Sequence, residues 1–141
     1  MRAVAEQNLR AVSEQNIELV RTGLEAFNRG DVDSFLDLLD PGIEAYVPPE
    51  LPNEGTYRGR DGFRRMVEQW NEAWEEFRAE PEKLVAKGDR VVALVRQRGR
   101  GRGSGVEVEF PVAYIYEMRD GKLVRWELSA DREEALASVR S

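Results

Sequence analysis

Residues 90–129 read RVVALVRQRGRGRGSGVEVEFPVAYIYEMRDGKLVRWELS. Apolar and polar residues alternate over 90–98, 106–118 and 122–129, which predicts three β-strands. Between the first two lies the glycine-rich GRGRGSG of residues 99–105. Between the last two lies Asp120-Gly121, a strong hairpin signal. Successive strands joined by turns this short pair antiparallel. Pro111 inside the middle strand cannot donate to a ladder, so a bulge or a sheet edge is expected there. Upstream, residues 83–87 before the turn Lys87-Gly88-Asp89 add a fourth strand.

Towards the N-terminus the period changes from alternating to helical. Leu9, Val12, Ile17, Val20, Leu24 and Phe27 recur mostly at three- and four-residue steps and predict a first helix. AVAEQN and AVSEQN, eight residues apart, read as a polar helical lead-in over residues 1–12. Asn28-Arg29-Gly30-Asp31 predicts a stop and a restart: Gly30 suits a left-handed cap and Asp31 caps a second helix carrying Val32, Phe35, Leu36 and Leu39. Asp40-Pro41-Gly42 ends it, 43–47 is a short strand, and Pro48 to Tyr57 is a loop with three prolines. A third helix is expected over 61–77, with Phe63, Met66, Val67, Trp70, Trp74 and Phe77 on one stripe. Asp131 with Glu134 predicts a short final helix. No linker divides residues 1–141, so one domain is expected.

Composition narrows the chemistry. The 141 residues include no His and no Cys, which removes imidazole-based nucleophile systems, thiol chemistry, disulfides and the usual zinc sites. Proton transfer is left to Asp, Glu, Tyr, Lys, Arg and water. Lys plus Arg number 21 against 27 Asp plus Glu, for a net charge of −6, and such a chain is a poor general binder of nucleic acid or anionic membrane. The start, MRAVAEQNLRAV, lacks the apolar stretch of a signal peptide, and the longest aliphatic run is 91–95, so a cytoplasmic location is the default expectation.

The order helix, short helix, strand, helix, then four antiparallel strands resembles the nuclear transport factor 2-like superfamily, and within it the SnoaL-like polyketide cyclase branch. The residues that carry the likeness are Ala26 to Asp31, Leu38-Leu39-Asp40-Pro41, Tyr57-Arg58-Gly59-Arg60, Arg119 to Val124 and Asp131 to Leu136. The resemblance implies an α+β fold in which a cone-shaped, curved, mixed or antiparallel sheet wraps around three N-terminal helices, with a short C-terminal helix. It also implies an interior cavity and pairing of two copies through the outer sheet face. Taking the apolar face as the inner one, Val91, Ala93, Val95 and Gln97 point inward with Val106, Val108, Phe110, Val112, Tyr114, Tyr116 and Met118. Val124, Trp126 and Leu128 follow on the last strand, and Ala45 and Val47 on the first. Val92, Leu94, Ala113, Ile115 and Leu123 fall outside, among charges of both signs, which suits a homodimer interface.

The resemblance extends to enzymes whose machinery can be sought position by position. Ketosteroid isomerases of this superfamily use a helix-one Tyr, an Asp base and an Asp donor; those positions fall on Gly23, Val47 and Tyr114. Polyketide cyclases of the SnoaL type place a His and an acid–base Asp after the hairpin glycine, and those positions fall on Trp126 and Leu128. Glu127 is adjacent but faces outward unless the register slips by one residue. Tyr114 and Glu127 are therefore the only catalytic candidates on these strands. Tyr114 is a donor and a poor base at neutral pH. Glu50 and Glu54 on the proline-rich loop are further carboxylates near the expected mouth.

What remains is an expected apolar pocket of Phe27, Val47, Trp70, Gln97, Tyr114, Tyr116, Trp126 and Leu128, suited to a small hydrophobic or aromatic molecule. No cofactor or metal is expected, since Asp31, Asp40 and Asp131 read as caps and turns. A simpler reading treats the same aromatics as core. Arg96, Arg98, Arg100 and Arg102 lack interleaved aromatics, so no nucleic acid is expected there, and Arg96 and Arg98 are expected to face Glu107 and Glu109. Two functions follow: a small-ligand pocket protein, with or without isomerase, cyclase or hydrolase chemistry, or a non-catalytic binding or dimeric association domain.

Overall fold

Alternation in the C-terminal half and helical periodicity in the N-terminal half yield two layers. The computed structural model describes residues 2–140, with side chains from Asn8 onward; Met1 and the side chains of the first AVAEQN up to Gln7 lie outside the described residues. The elements are α1 (Arg2–Asn28), α2 (Val32–Leu36), β1 (Leu39–Val47), β2 (Gly55–Arg58), α3 (Gly59–Ala73), β3 (Trp74–Lys87), β4 (Arg90–Gly101), β5 (Glu107–Arg119), β6 (Lys122–Ser129) and α4 (Arg132–Ala137). Six strands form one mixed sheet in the order β2-β1-β6-β5-β4-β3. β1 runs parallel to β6, and the other neighbours are antiparallel. This is the expected α+β architecture, with a sheet that does not close.

The caps behave as read. Gly30 takes φ 77°, and the Asp31 amide reaches back to the Ala26 carbonyl at 2.9 Å. The Asp31 carboxylate then caps α2 by accepting from the Ser34 amide, and Asp131 caps α4 by accepting from the Glu134 amide. Two asparagines fasten α1 to the sheet. The Asn28 carboxamide exchanges two bonds with the Ala79 backbone, at 2.8 and 2.9 Å. The buried Asn16 donates to the Gly88 carbonyl at 3.0 Å, while Ser13 accepts from the Gly88 amide.

Several boundaries differ from the expectation, each for a tertiary reason. α3 stops at Ala73, not at 77, and Trp74 already has an extended ψ of 140°. Trp74 and Phe77 belong to β3, which pairs with β4 from Trp74–Gly101 onward. The sequence of residues 75–82, EEFRAEPE, has weak strand propensity. It forms a strand because it lies on the sheet edge, where its glutamates meet the arginines of β4: Glu82–Arg96 at 3.2 Å and Glu80–Arg98 at 3.5 Å. Register shifts at 75–78 and 81–83 break its alternation, and Glu76 sits in the first with φ 54°. β1 begins at Leu39, because Asp40-Pro41-Gly42 is a bulge within the strand and not a terminator. β2 takes the end of the stretch expected as loop and runs one residue past it.

Pro111 causes no bulge. The β4–β5 register is continuous through Arg96–Pro111, and β6 ends opposite Ala113, so Pro111 occupies a local edge. The bulge lies instead between Glu117 and Met118, where Val124 is the extra residue. It turns Leu123 into the core, at 4% exposure, in place of the expected Val124. Val106 precedes β5 and is exposed, and Val108 is half-buried. Phe110 is only partly buried against the core, and the other inward assignments on β1, β4, β5 and β6 match the buried residues.

The outer face carries its own small core. α4 lies across β4 and β5, where Val92, Ala113 and Ile115 pack with Ala135 and Val139. Those strand residues were expected to make the outer face suitable for dimer contact; here α4 covers them. Beyond that patch the outer face of β3, β4 and β5 carries ion pairs, among them Arg96–Glu109 and Arg98–Glu80.

Candidate functional site

The inward side chains of β4, β5 and β6 meet those of α3 in an aromatic cluster. Trp126 has its ring 5.0 Å from Tyr114, 5.8 Å from Phe63 and 6.0 Å from Trp70. Trp70 is 5.6 Å from Phe77, Phe77 is 6.0 Å from Phe27, Phe27 is 5.9 Å from Phe35, and Phe35 is 5.2 Å from Phe63. Six rings thus close a circuit between the helices and the sheet, at spacings typical of favourable aromatic pairs. Val47, Trp70, Gln97, Tyr114, Tyr116, Trp126 and Leu128 are all buried. The structure brings these residues together, and it packs them on one another.

The polar groups of the interior are satisfied within it. Gln97 donates to the Tyr114 hydroxyl at 2.6 Å, with both residues buried. The Trp126 indole donates to the Tyr116 hydroxyl. Burial holds both phenols well above the ordinary tyrosine value of 10.0, so neither ionises at neutral pH and neither serves as a base. Glu127 lies on the outer face between the buried Trp126 and Leu128, half-buried, in register with Tyr46 on β1 and Ile115 on β5. Glu50 and Glu54 are exposed on the loop. Among the described residues no cluster of His, Cys, Asp or Glu is placed to hold a metal.

The space left inside is small. About 60 Å³ lies beneath the β1–β2 loop, between Leu51, Trp70, Gln97 and Leu128. About 20 Å³ lies between α1 and Tyr116. The first has room for a few waters and the second for about one, whereas ligand sites run to about 300 Å³ or more. A groove of about 340 Å³ opens elsewhere, between the end of α1, α2, α3 and the start of β3. Its floor is Phe27, Phe35, Val67 and Phe77, and its rim is Arg64, Glu68, Asn71 and Glu76. Of the expected pocket residues, only Phe27 lines it. Sequence reasoning missed the groove because its walls come from four elements, and because Phe77 faces it only after α3 ends early.

The arginines of β4 are matched by carboxylates across the ladder. Arg96 bonds Glu109 at 2.6 Å, Arg98 lies 3.3 Å from Glu109, and Arg100 lies 3.4 Å from Glu107. Arg132 of α4 joins Glu82 at 2.7 Å. The Arg96 and Arg132 hydrogen bonds hold the Glu82 carboxyl below the ordinary value of 4.5.

Comparison with known proteins places this geometry in a family. The SnoaL-like domain matches over residues 20–126. No curated protein sequence matches significantly. An NTF2-like protein from Burkholderia thailandensis is 26% identical, covers 89% of this chain and 97% of its own, and superposes with a TM-score of 0.76. TerC, crystallised with polyporic acid, is 23% identical over 89% of this chain and 97% of its own, with a TM-score of 0.75. A protein with a ketosteroid isomerase-like fold from Catenulispora acidiphila, in complex with trimethylamine, is 15% identical over 79% of this chain and 83% of its own, with a TM-score of 0.71. In all, 346 solved chains match, and a fold so widely used assigns no activity by itself. With a match across three-quarters of its length, from the last turns of α1 to Trp126 on β6, the chain belongs to the SnoaL-like domain family.

Proposed function

We propose that this chain is a non-catalytic small-molecule binding domain, and that an apolar or aromatic ligand sits in the groove floored by Phe27, Phe35, Val67 and Phe77. One observation carries the reading: the interior is closed by packed aromatics and its two small spaces fall far below ligand size, while the apolar-floored groove reaches it, at about 340 Å³. Val47, Trp70, Gln97, Tyr114, Tyr116, Trp126 and Leu128 then serve as core, and Phe27 alone serves both. Acid–base chemistry has no support in the interior, where the buried polar side chains described are phenols, an indole and the carboxamides of Asn16 and Gln97. That fold relatives were crystallised with polyporic acid and with trimethylamine is consistent with ligand capture by this architecture.

Titration of benzyl alcohol and related small aromatics, followed by amide NMR shifts, tests this. Shifts centred on Phe27, Phe35, Val67 and Phe77 support the groove. Shifts centred on Trp126 and Leu128 move the ligand to the interior and overturn the assignment. The filled interior also favours a second reading, a ligand-free association domain. Its dimer contact is confined to the ionic part of the outer face, since α4 covers the apolar part. Light scattering showing a salt-sensitive dimer, with no NMR shifts for any aromatic, selects that reading.

A further inference from the structure

One wall of the groove is a single stripe of α3. Arg64, Val67, Glu68 and Asn71 recur at helical spacing and all line it. The charged groups around the rim differ in whether they are already paired. Glu76 lies 3.7 Å from Arg100, and the Asn28 carboxamide is taken by the Ala79 backbone. Arg64 and Glu68 are different. They stand four residues apart, where opposite charges on a helix commonly pair, yet neither has an ion pair or hydrogen bond to any described side chain. A guanidinium and a carboxylate are therefore both available, one helical turn apart, above three phenylalanine rings.

That juxtaposition is complementary to a ligand carrying both charges on one apolar body. We propose that the groove binds an amphipathic zwitterion, an α-amino acid with an aromatic side chain. Its carboxylate is taken by Arg64, whose planar fork suits a two-oxygen acceptor. Its ammonium is taken by Glu68, and its side chain lies on Phe27, Phe35 and Phe77. The inference rests on the groove being a binding site, as proposed above, and adds the ligand class.

The test compares L-phenylalanine with phenethylamine, 3-phenylpropionate and benzyl alcohol, using calorimetry and amide NMR at low salt. These probes share the ring and differ in carrying both charges, one of each sign, or none. L-phenylalanine is expected to bind about tenfold tighter than either singly charged probe, a difference of about 1.4 kcal/mol. Arg64→Gln should lower its affinity to that of phenethylamine, and Glu68→Gln to that of 3-phenylpropionate. Both side chains are exposed, so the folded state is expected to survive either change, which circular dichroism checks. Equal affinities for all four probes overturn the zwitterion while leaving the groove as a site. A singly charged probe that matches L-phenylalanine also overturns it. If no probe binds below about 10 mM, the groove and its ligand class fall together.

Discussion

The hydrogen bond between Gln97 and Tyr114 gives the most searching test of whether the interior is core. Both residues are buried, at 3% and 4% exposure, and the bond is 2.6 Å long. Tyr114→Phe removes the hydroxyl and leaves a buried carboxamide without its partner. The expected loss is about 1–3 kcal/mol, because the unpaired group bears its full desolvation cost. Gln97→Leu, close to isosteric, strands the hydroxyl instead and should cost a similar amount. The double variant Q97L/Y114F leaves neither group and fills the site with apolar atoms, so it should fall within about 1 kcal/mol of the parent. The coupling energy is then close to the sum of the two single losses, the non-additivity of residues in direct contact. Urea unfolding followed by tryptophan fluorescence reads this directly. With a slope near 2 kcal/mol/M, each single variant should move the midpoint down by about 1 M. Additive losses would refute the reasoning, and so would single variants with unchanged midpoints, since either result means that the pair is hydrated. Binding at the groove should be the same in all three variants.

Other consequences follow from the same structure. A Cβ on Gly99 would lie 3.3 Å from Trp74 Cβ and 3.5 Å from Phe77 Cδ2, so Gly99→Val should cost about 1–3 kcal/mol by overpacking and alter the near-UV dichroism of the tryptophans. Val139→Asp places a charge under α4 at a position 5% exposed; it should destabilise by about 2 kcal/mol or more and uncover Val92, Ala113 and Ile115, with self-association visible by light scattering. Stability should also fall at both pH extremes. Glu82 titrates below its unfolded value, so its contribution is full above pH 4.5 and drains as pH falls through the folded value; Glu82→Gln should flatten that acid limb. Tyr114 and Tyr116 titrate above theirs, so their contribution is full below pH 10.0 and is lost as pH rises beyond it; Tyr114→Phe should flatten the alkaline limb in urea midpoints measured across pH.

Most of the architecture is legible in the sequence. Period-two alternation over residues 90–129 specifies half-buried strands, glycines and Asp120-Gly121 specify their turns, and Gly30, Asp31 and Asp131 specify where helices stop and start. Each of those signals acts within a few residues, so it is legible without the fold. The absence of His and Cys, and the Trp126 and Leu128 at the cyclase positions, likewise needed no coordinates.

Tertiary structure decided the site. Trp74 and Phe77 continue the helical stripe of α3, yet pairing of Trp74 with Gly101 and of Glu75 with Arg100 draws the stretch into β3, because ladder bonds and glutamate–arginine pairs outweigh local preference. That change turns Phe77 towards Phe27 and builds the groove. The bulge at Val124 exchanges it with Leu123 through a one-residue shift that no local pattern marks. The same aromatic side chains that could line a cavity can instead fill it, and only their packing in three dimensions distinguishes the two. Here the rings meet at 5.0–6.0 Å around Trp126, close the interior and leave the available charges of Arg64 and Glu68 at the groove outside it.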